Sequence, residues 1–175
     1  MRALLPLLLA GTGSVLAAPA GDCQPDQRAG TEALNALRAQ ARQCGGVLLP
    51  AAPALRWQAN LGESAQRYAV ELARRDRLDH TGSAGTSLRT RLREAGYVMR
   101  VAGENLAGGP ETLDEALAQW LASPAHCENL MAADFQEFGL ACVAGSGALQ
   151  RYWVLHLAAP AAAQAPSRSS PDRSP

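Results

Sequence analysis

Ala102-Gly103-Glu104-Asn105-Leu106-Ala107 is the stretch of the sequence that most narrows the fold. It places a carboxylate and an amide between small and apolar residues. It follows a predicted strand at 97–101 and precedes a glycine turn at 108–109. Because side chains just beyond a strand are often functional, we expect Glu104 to be a site residue. Asn105 is predicted to hold the bend through local hydrogen bonds.

Two of the three histidines stand in similar surroundings. His80 follows a segment with helical periodicity, and His126 follows Ser123-Pro124-Ala125. Imidazole titrates near neutral pH, and its neutral nitrogen is a good metal ligand. Together with Glu104 they predict a cleft that binds a divalent metal or moves protons. Glu137, between two phenylalanines, is a fourth candidate for the same cleft.

Each candidate also has a structural explanation. His80 could cap the end of the preceding helix, where the dipole favours a partly positive imidazole. Glu104 could accept hydrogen bonds from the loop around it, and Glu137 could be a solvated turn residue. His156 alternates with apolar residues in a predicted strand, so we expect it to be a strand histidine satisfied by its neighbours.

Composition divides the chain into three parts. Residues 1–20 begin with a positive charge at Arg2, continue with an apolar stretch and end in small residues, as secretory signal peptides do. This pattern predicts a secreted or periplasmic protein. Residues 21–160 have the length of one domain, and the Ala-, Pro-, Ser- and Arg-rich residues 161–175 predict a disordered tail. The formal net charge is +0, so neither nucleic acid nor an anionic membrane is indicated as a partner. No membrane span is expected after signal cleavage.

The four cysteines indicate disulfides. An even number behind a signal peptide favours two bridges, and four cysteines allow three pairings. We expect Cys23 to pair with Cys44 and Cys127 with Cys142, because each pair is near in sequence and brackets one predicted element. A zinc-cysteine site is disfavoured because no Cys-x-x-Cys is present.

Periodicity predicts several helices and a hairpin. The helices are expected at 31–42 with Thr31 as cap, from about Asn60 to Arg75, from Ser87 to Gly96, and after a Thr112–Glu115 capping box. Residues 138–142 and 149–157 read as an antiparallel hairpin. The predicted class is α+β, with a small antiparallel sheet covered by helices.

Several short motifs resemble the CAP superfamily of cysteine-rich secretory, antigen 5 and pathogenesis-related proteins, in its bacterial secreted branch. The resemblance covers residues 31–158. It rests on the following motifs, in chain order: Leu34-Asn35-Ala36-Leu37-Arg38, Leu55-Arg56-Trp57, His80, Ala95-Gly96-Tyr97, Gly103-Glu104-Asn105-Leu106-Ala107, Trp120 with Ser123-Pro124-Ala125-His126, and Tyr152-Trp153-Val154.

The resemblance implies an α-β-α sandwich with an open central cleft lined by two histidines and two acidic residues. By position these are His80, Glu104, His126 and Glu137. The eukaryotic Gly-His-Phe-Thr motif is absent, so the sterol binding of that branch is not carried over to this chain.

Three functional classes remain open from the sequence. The expected function is a secreted binding module for a lipid, cell-wall or peptide ligand, with or without a divalent ion. Zinc is favoured over calcium, with His80 and His126 as its ligands, because calcium prefers oxygen atoms. The alternatives are a metal-assisted hydrolase that uses His80, Glu104 and His126, and an extracellular scaffold with a vestigial cleft. No catalytic residue is assigned.

Overall fold

A computed structural model of the chain describes residues 23–162. The predicted signal peptide lies outside the described residues, as does the predicted tail beyond residue 162. The described elements are, in chain order, α1 (Gln27–Arg38), β1 (Arg42–Cys44), β2 (Val47–Leu49), β3 (Arg56–Trp57), α2 (Ala59–Arg75), α3 (Leu88–Glu94), β4 (Met99–Gly108), α4 (Leu113–Ala122), α5 (Pro124–Met131), β5 (Glu137–Ala144) and β6 (Arg151–Pro160). None of these helices is long and apolar enough to cross a membrane.

The main sheet has four strands in the order β3-β5-β6-β4. The predicted hairpin is confirmed, because β5 pairs antiparallel with β6. Strand β4 pairs antiparallel with the other side of β6 and forms one edge of the sheet. The short β3 joins β5 in parallel at the opposite edge. The α+β class is confirmed, with one short parallel pair added to the expected antiparallel sheet.

Helices cover both faces of this sheet. Side chains of β6 alternate between two cores, as the period of a strand requires. Tyr152 and Val154 pack with residues of α2 on one face. Trp153 and Leu155 pack on the other face with residues of α1, α4 and α5. Gly139 of β5 lets α2 approach closely, since a Cβ there would collide with the backbone of that helix.

Local sequence signals fix most of the helix ends. Ser87 caps α3, and Thr112 and Glu115 form the predicted capping box of α4. The first helix is confirmed, but the bounds predicted for it, 31–42, are wrong. It begins after Asp26, whose side chain accepts hydrogen bonds from two backbone N–H groups, and Thr31 lies inside it. An aspartate is a good cap, and here it precedes the threonine.

Three strands, β1, β2 and β4, depart from the sequence prediction. Gly45 and Gly46, which follow the helix predicted at 31–42, form the turn between β1 and β2, with φ of 55° and 101°. Such left-handed angles suit a tight hairpin turn. Strand β4 starts at Met99 and continues to Gly108, so Glu104 lies inside a strand and not in a loop after one.

The predicted disulfide pairing is wrong. The bonds are Cys23–Cys142 and Cys44–Cys127. The N-terminal segment runs beside β5, where Gln24 hydrogen-bonds to the backbone of Cys142 and Leu140, while β1 packs against α5. Nearness in sequence was a poor guide because the sheet brings distant segments together. The bonds span 119 and 83 residues, and each ties an early segment to the C-terminal half.

Candidate functional site

The centre of the site is the Glu104 carboxylate, which is only 4% exposed. Its Oε1 accepts a hydrogen bond from His80 Nδ1 at 2.8 Å. Its Oε2 accepts one from Arg91 at 2.6 Å and one from His156 Nε2 at 2.9 Å. These residues are called the Glu104 cluster below. The structure therefore joins His80 and Glu104 directly. Helix capping is not needed to explain His80, and hydrogen bonds from the surrounding loop are not needed to explain Glu104.

Four different elements supply the Glu104 cluster. Glu104 lies in β4 and is paired in register with His156 of β6, so both side chains point to the α2 face. Arg91 comes from α3. His80 comes from the segment after α2, four residues beyond the Asp76 cap of that helix. The cluster is thus a tertiary arrangement that links the edge strand to three neighbours.

Arg91 is a site residue that the sequence interpretation did not identify. It is 8% exposed, and besides Glu104 it donates to the backbone oxygens of His80 and Thr86 at 3.2 and 3.0 Å. Its guanidinium lies 3.5 Å from the ring centroid of Tyr68, whose hydroxyl donates to the Asp79 backbone. These bonds hold the segment that carries His80. The sequence contained one signal for this role, because Arg91 stands next to Leu92 on the apolar side of the short helix α3.

His156 also belongs to the cluster, although it was expected to be only a strand histidine. Its side chain is fully buried, and burial lowers the pKa of the imidazole. We therefore describe His156 as neutral, with Nε2–H donating to Glu104. Its Nδ1 has no hydrogen-bond partner among the described residues. Its neighbours therefore satisfy Nε2, as expected, but they do not satisfy Nδ1.

The cluster shifts the titration of its members. Burial alone would raise the pKa of Glu104, but the hydrogen bonds from His156 and His80 and the charge of Arg91 outweigh it and lower the pKa to about 2. The hydrogen bond to Glu104 raises the pKa of His80, against an opposing effect of burial. The His80 side chain is nevertheless 62% exposed. A fixed carboxylate thus holds an exposed, readily protonated imidazole.

The geometry also orients the His80 ring. A carboxylate can only accept hydrogen bonds, so Nδ1 is the nitrogen that carries the proton toward Glu104. Nε2 is left to interact with a ligand. This carboxylate–histidine pair is the arrangement by which proteins fix the tautomer and direction of an imidazole that binds a metal or transfers a proton.

His126 lies in the first turn of α5, on the other side of the edge strand. Its backbone oxygen accepts a hydrogen bond from Asn105 Nδ2 at 3.0 Å, and Asn129 in turn donates to Asn105. Asn105 is therefore structural, as expected, but through α5 and not through local bonds. The neighbouring Cys127 is tied to β1 by its disulfide with Cys44. The backbone that carries His126 is thus fixed at two points.

The imidazole of His126 is half-buried. Burial lowers its pKa, and the charge of His80 lowers it further. The two histidines are therefore near enough to interact electrostatically, although they come from opposite faces of the sheet. In the described part of the chain, the His126 ring itself makes no hydrogen bond.

Glu137 is not joined to the Glu104 cluster. It begins β5, and β6 separates that strand from β4. Tyr97 donates to Glu137 Oε2 at 2.7 Å, and Arg56 lies 3.2 Å from Oε1. Burial first, and then the hydrogen bond to Glu137, raise the pKa of Tyr97. A structural role explains these contacts, and a role for Glu137 in the cleft stays a prediction.

The described residues 23–162 contain no group of three or more His, Cys, Asp or Glu side chains placed to hold a metal ion. Both oxygens of Glu104 are already used by His80, Arg91 and His156. Of the predicted zinc ligands, His80 and His126, each keeps a ring nitrogen without a hydrogen-bond partner among the described residues. They do not form the three- or four-ligand set of a protein zinc site.

Comparisons with known proteins agree with this fold. The sequence model of the cysteine-rich secretory protein family, CAP, matches residues 31–157. No curated protein sequence matches the chain significantly.

Solved structures supply three further likenesses. An outer surface protein from Borrelia burgdorferi is 21% identical with a TM-score of 0.62, covering 80% of this chain and 99% of that one. An extracellular SCP-domain protein from Bacillus anthracis is 23% identical with a TM-score of 0.53, covering 61% of this chain and 34% of that one. A cysteine-rich secretory protein from Staphylococcus aureus is 17% identical with a TM-score of 0.51, covering 75% and 37%. At these identities the likeness concerns the fold alone, and the chain spans about a third of the last two proteins.

Proposed function

Because the chain belongs to the cysteine-rich secretory protein (CAP) family, we propose that it is an extracellular binding module whose ligand contacts His80 and His126. The fold does not by itself carry the function, since one fold can host many activities. The argument therefore rests on the residues of the site. The ligand belongs to one of three classes, which are a lipid, a cell-wall fragment and a peptide.

The observation that carries this proposal is the support given to His80. A buried carboxylate with three partners aims an imidazole that is itself 62% exposed. Burying Glu104 and Arg91 costs desolvation energy, and such pairs are often no better for stability than apolar residues. An exposed side chain held by a buried network is instead what a preorganised binding site requires. A scaffold with a vestigial cleft would have no need of this arrangement.

The two histidines offer complementary groups to a ligand. The pKa of His80 is raised by its hydrogen bond to Glu104, so near neutral pH it is the better donor. The pKa of His126 is lowered by burial and by His80, so it is the better acceptor. A polar group that both accepts and donates hydrogen bonds fits this pair. Hydroxyl and amide groups, which occur among the three ligand classes, have both kinds of atom.

A divalent ion is a separate expectation. Two imidazoles are ligands that zinc accepts, but the described residues supply no third ligand at this place. We therefore derive no step of the function from a bound metal. The zinc prediction stays testable and concerns only binding through His80 and His126.

Two observations support the extracellular location. Both disulfides join segments far apart in sequence, and such bonds persist in oxidising compartments. The structural neighbours include an extracellular protein and an outer surface protein. The predicted signal peptide at 1–20 would provide the export route.

Co-sedimentation with three probes tests the proposal. The purified domain is mixed with peptidoglycan sacculi, with vesicles of phosphatidylglycerol and phosphatidylcholine, or with a peptide library on beads. We expect saturable binding to one probe and about a tenfold loss in the double variant His80→Asn, His126→Asn, because each removed imidazole contact to a polar group contributes to affinity. Asp114→Asn on α4 serves as the control. Binding that the double variant retains in full would overturn the proposal.

A hydrolase is the second candidate, and one observation favours it. The His80–Glu104 pair has the geometry of a base oriented by a carboxylate. The raised pKa of His80 makes the imidazole less available as a base near neutral pH. Incubation with peptide, ester and peptidoglycan substrates decides between the candidates. Turnover by the wild-type domain that His80→Asn abolishes would favour the enzyme. A wild-type domain that binds one of the three probes but turns over no substrate would favour the binding module.

A further inference from the structure

Charged residues are unevenly distributed between the two sides of the sheet. Residues 61–100, which form α2, α3 and the segment between them, contain eight arginines and five acidic residues. Residues 101–160, which include α4 and α5, contain one arginine and seven acidic residues. The net charge of +0 hides this separation, because excesses of opposite sign cancel in the whole chain. The α2 side of the domain therefore carries an excess of positive charge.

A groove along the solvent side of α2 collects part of this positive charge. Its volume is about 580 Å³, which is within the range of ligand pockets. The charged residues that line it are Arg67, Arg74, Arg75 and Glu71, and Val70 adds an apolar surface. With three arginines and one glutamate, the lining favours a negatively charged ligand.

Two of the three arginines are available to a ligand. Arg74 is exposed and makes no ion pair or hydrogen bond in the described part of the chain. The Arg67 side chain is 53% exposed and lies 3.5 Å from Glu63, and an exposed pair of this kind contributes little and is easily exchanged. Arg75 is 3.0 Å from Glu71, so these two charges offset each other inside the groove.

The spacing of Arg67 and Arg74 indicates the kind of anion. Both lie in α2, seven residues apart, which is close to two helical turns and about 10 Å along the axis. A chain with repeated negative charges can contact each guanidinium where it stands, without bringing the two like charges together. Phosphate oxygens fit the planar donor fork of a guanidinium, which binds them in a bidentate manner.

We propose that this groove binds a polymer with repeated phosphate groups, held by Arg67 and Arg74. No aromatic side chain lines the groove, so it offers no platform on which a nucleic-acid base could stack. A flexible chain can follow the groove, whereas the flat surface of a membrane cannot enter it. The proposal does not depend on the ligand of His80 and His126, because neither histidine lines this groove.

Isothermal titration calorimetry of the purified protein tests this inference. The probe is long-chain inorganic polyphosphate, compared with orthophosphate at the same total phosphate concentration. We expect polyphosphate to bind about tenfold more tightly, because contacts to two arginines act together. Its affinity should fall as salt is added, since salt screens exposed charges. No saturable binding of polyphosphate, or equal affinity for orthophosphate, would overturn the proposal.

Two charge-removing variants locate the binding. Arg67→Gln and Arg74→Gln each remove one exposed charge from α2 and should weaken polyphosphate binding by about tenfold, because a charge-assisted contact is lost. Arg28→Gln is the matched control, since the Arg28 side chain on α1 is 86% exposed and lies outside the groove. Its affinity should equal that of the wild type. Unchanged affinity in both groove variants, or an equal loss in Arg28→Gln, would show that the groove is not the site.

Two further measurements separate this proposal from its neighbours. The double variant His80→Asn, His126→Asn should retain full affinity for polyphosphate, even if it loses the ligand of the histidines. A loss of polyphosphate binding in that variant would place the polymer at the histidines and overturn the assignment to the groove. Tighter binding to a single-stranded oligonucleotide, or to phosphatidylglycerol vesicles, than to polyphosphate at equal phosphate concentration would overturn the class of ligand.

Discussion

His80 and His126 come from opposite sides of the edge strand β4, and the protein supports them in different ways. The His80 ring is held through its Nδ1 by a carboxylate that three elements surround. For His126 the backbone is fixed by Asn105 and by the adjacent disulfide, while its ring makes no hydrogen bond in the described part of the chain. One imidazole is therefore oriented by a hydrogen bond, and no hydrogen bond from the described residues orients the other ring.

This difference shows that the two histidines are not a symmetric pair of ligands. Their pKa values move in opposite directions, upward for His80 and downward for His126. Environments that push two titratable groups apart allow one to donate and the other to accept near neutral pH. The asymmetry comes mainly from Glu104, and removing this residue is the strongest way to break it.

The largest effect is expected for Glu104→Ala. Arg91 would remain buried without its counter-charge, and breaking a buried ion pair in this way costs about 3–5 kcal/mol. His126→Ala should cost less than about 1 kcal/mol, since the ring is half-buried and unpaired. Urea unfolding measures both free energies. Equal losses for the two variants would show that the supports of the two histidines do not differ in energy.

The disulfides give the next effect. Replacing Cys44 and Cys127 by serine, or Cys23 and Cys142, should each lower the free energy of unfolding by about 2–5 kcal/mol. Only the first pair lies next to His126, so only its loss should broaden or shift the His126 signal while leaving His80 unchanged. Peptide mapping of the oxidised protein provides the control. A peptide that links Cys23 to Cys44 would contradict the pairing described here.

The pH dependence gives a smaller effect. The folded pKa of His80 is raised above 6.5, so its contribution to stability is complete below that value and is lost as the pH rises through the folded pKa. The folded pKa of His126 is lowered, so its effect on stability appears as a loss when the pH falls below 6.5. Resonances of the imidazoles should show His80 titrating at the higher pH. Glu104→Gln should move the two midpoints together, and midpoints in reversed order would contradict the asymmetry.

Glu104 itself acts at lower pH. Its folded pKa of about 2 lies below the ordinary value of 4.5, so its stabilisation is present above 4.5 and is lost as the pH falls toward 2. Acid unfolding of the Glu104→Gln variant should therefore show a weaker dependence on pH over this range.

Zinc binding is the smallest expected effect. Two imidazoles hold a transition ion weakly, because stable zinc sites use three or four protein ligands. Isothermal titration calorimetry should show weak binding by the wild-type domain that His80→Ala with His126→Ala abolishes. Protonation of His80 should weaken it by about tenfold between pH 8 and pH 6, since a ligand nitrogen must first lose its proton. Affinity that is unchanged in the double variant would remove the zinc hypothesis.

The sequence identified part of this site because the short motifs around some residues indicate their chemistry. His80 and Glu104 stood out as polar residues in apolar motifs, and the structure joins them. Arg91 did not stand out, because the short helix α3 also contains Arg89 and Arg93, and an arginine in such a helix looks like a surface residue until its carboxylate partner is known. His156 was placed correctly on the strand, but its bond to Glu104 depends on the register of β4 against β6.

The sequence alone determined what short-range patterns encode. These are the α+β class, the capping box at Thr112, the hairpin of β5 and β6, and the family to which the chain belongs. The capping box and the hairpin follow from residues a few positions apart, whose contacts are set by the periods of helices and strands. The family follows from short motifs spread over residues 31–158.

Only the tertiary structure decided the disulfide pairing, the burial of Glu104 and the partners of Arg91. These features join residues that are far apart in the chain or that belong to different elements. They depend on strand order and on the packing of helices against both faces, and no local pattern specifies either. The reason is physical: hydrogen bonds and crosslinks form between groups that are close in space, and the complete fold sets those distances.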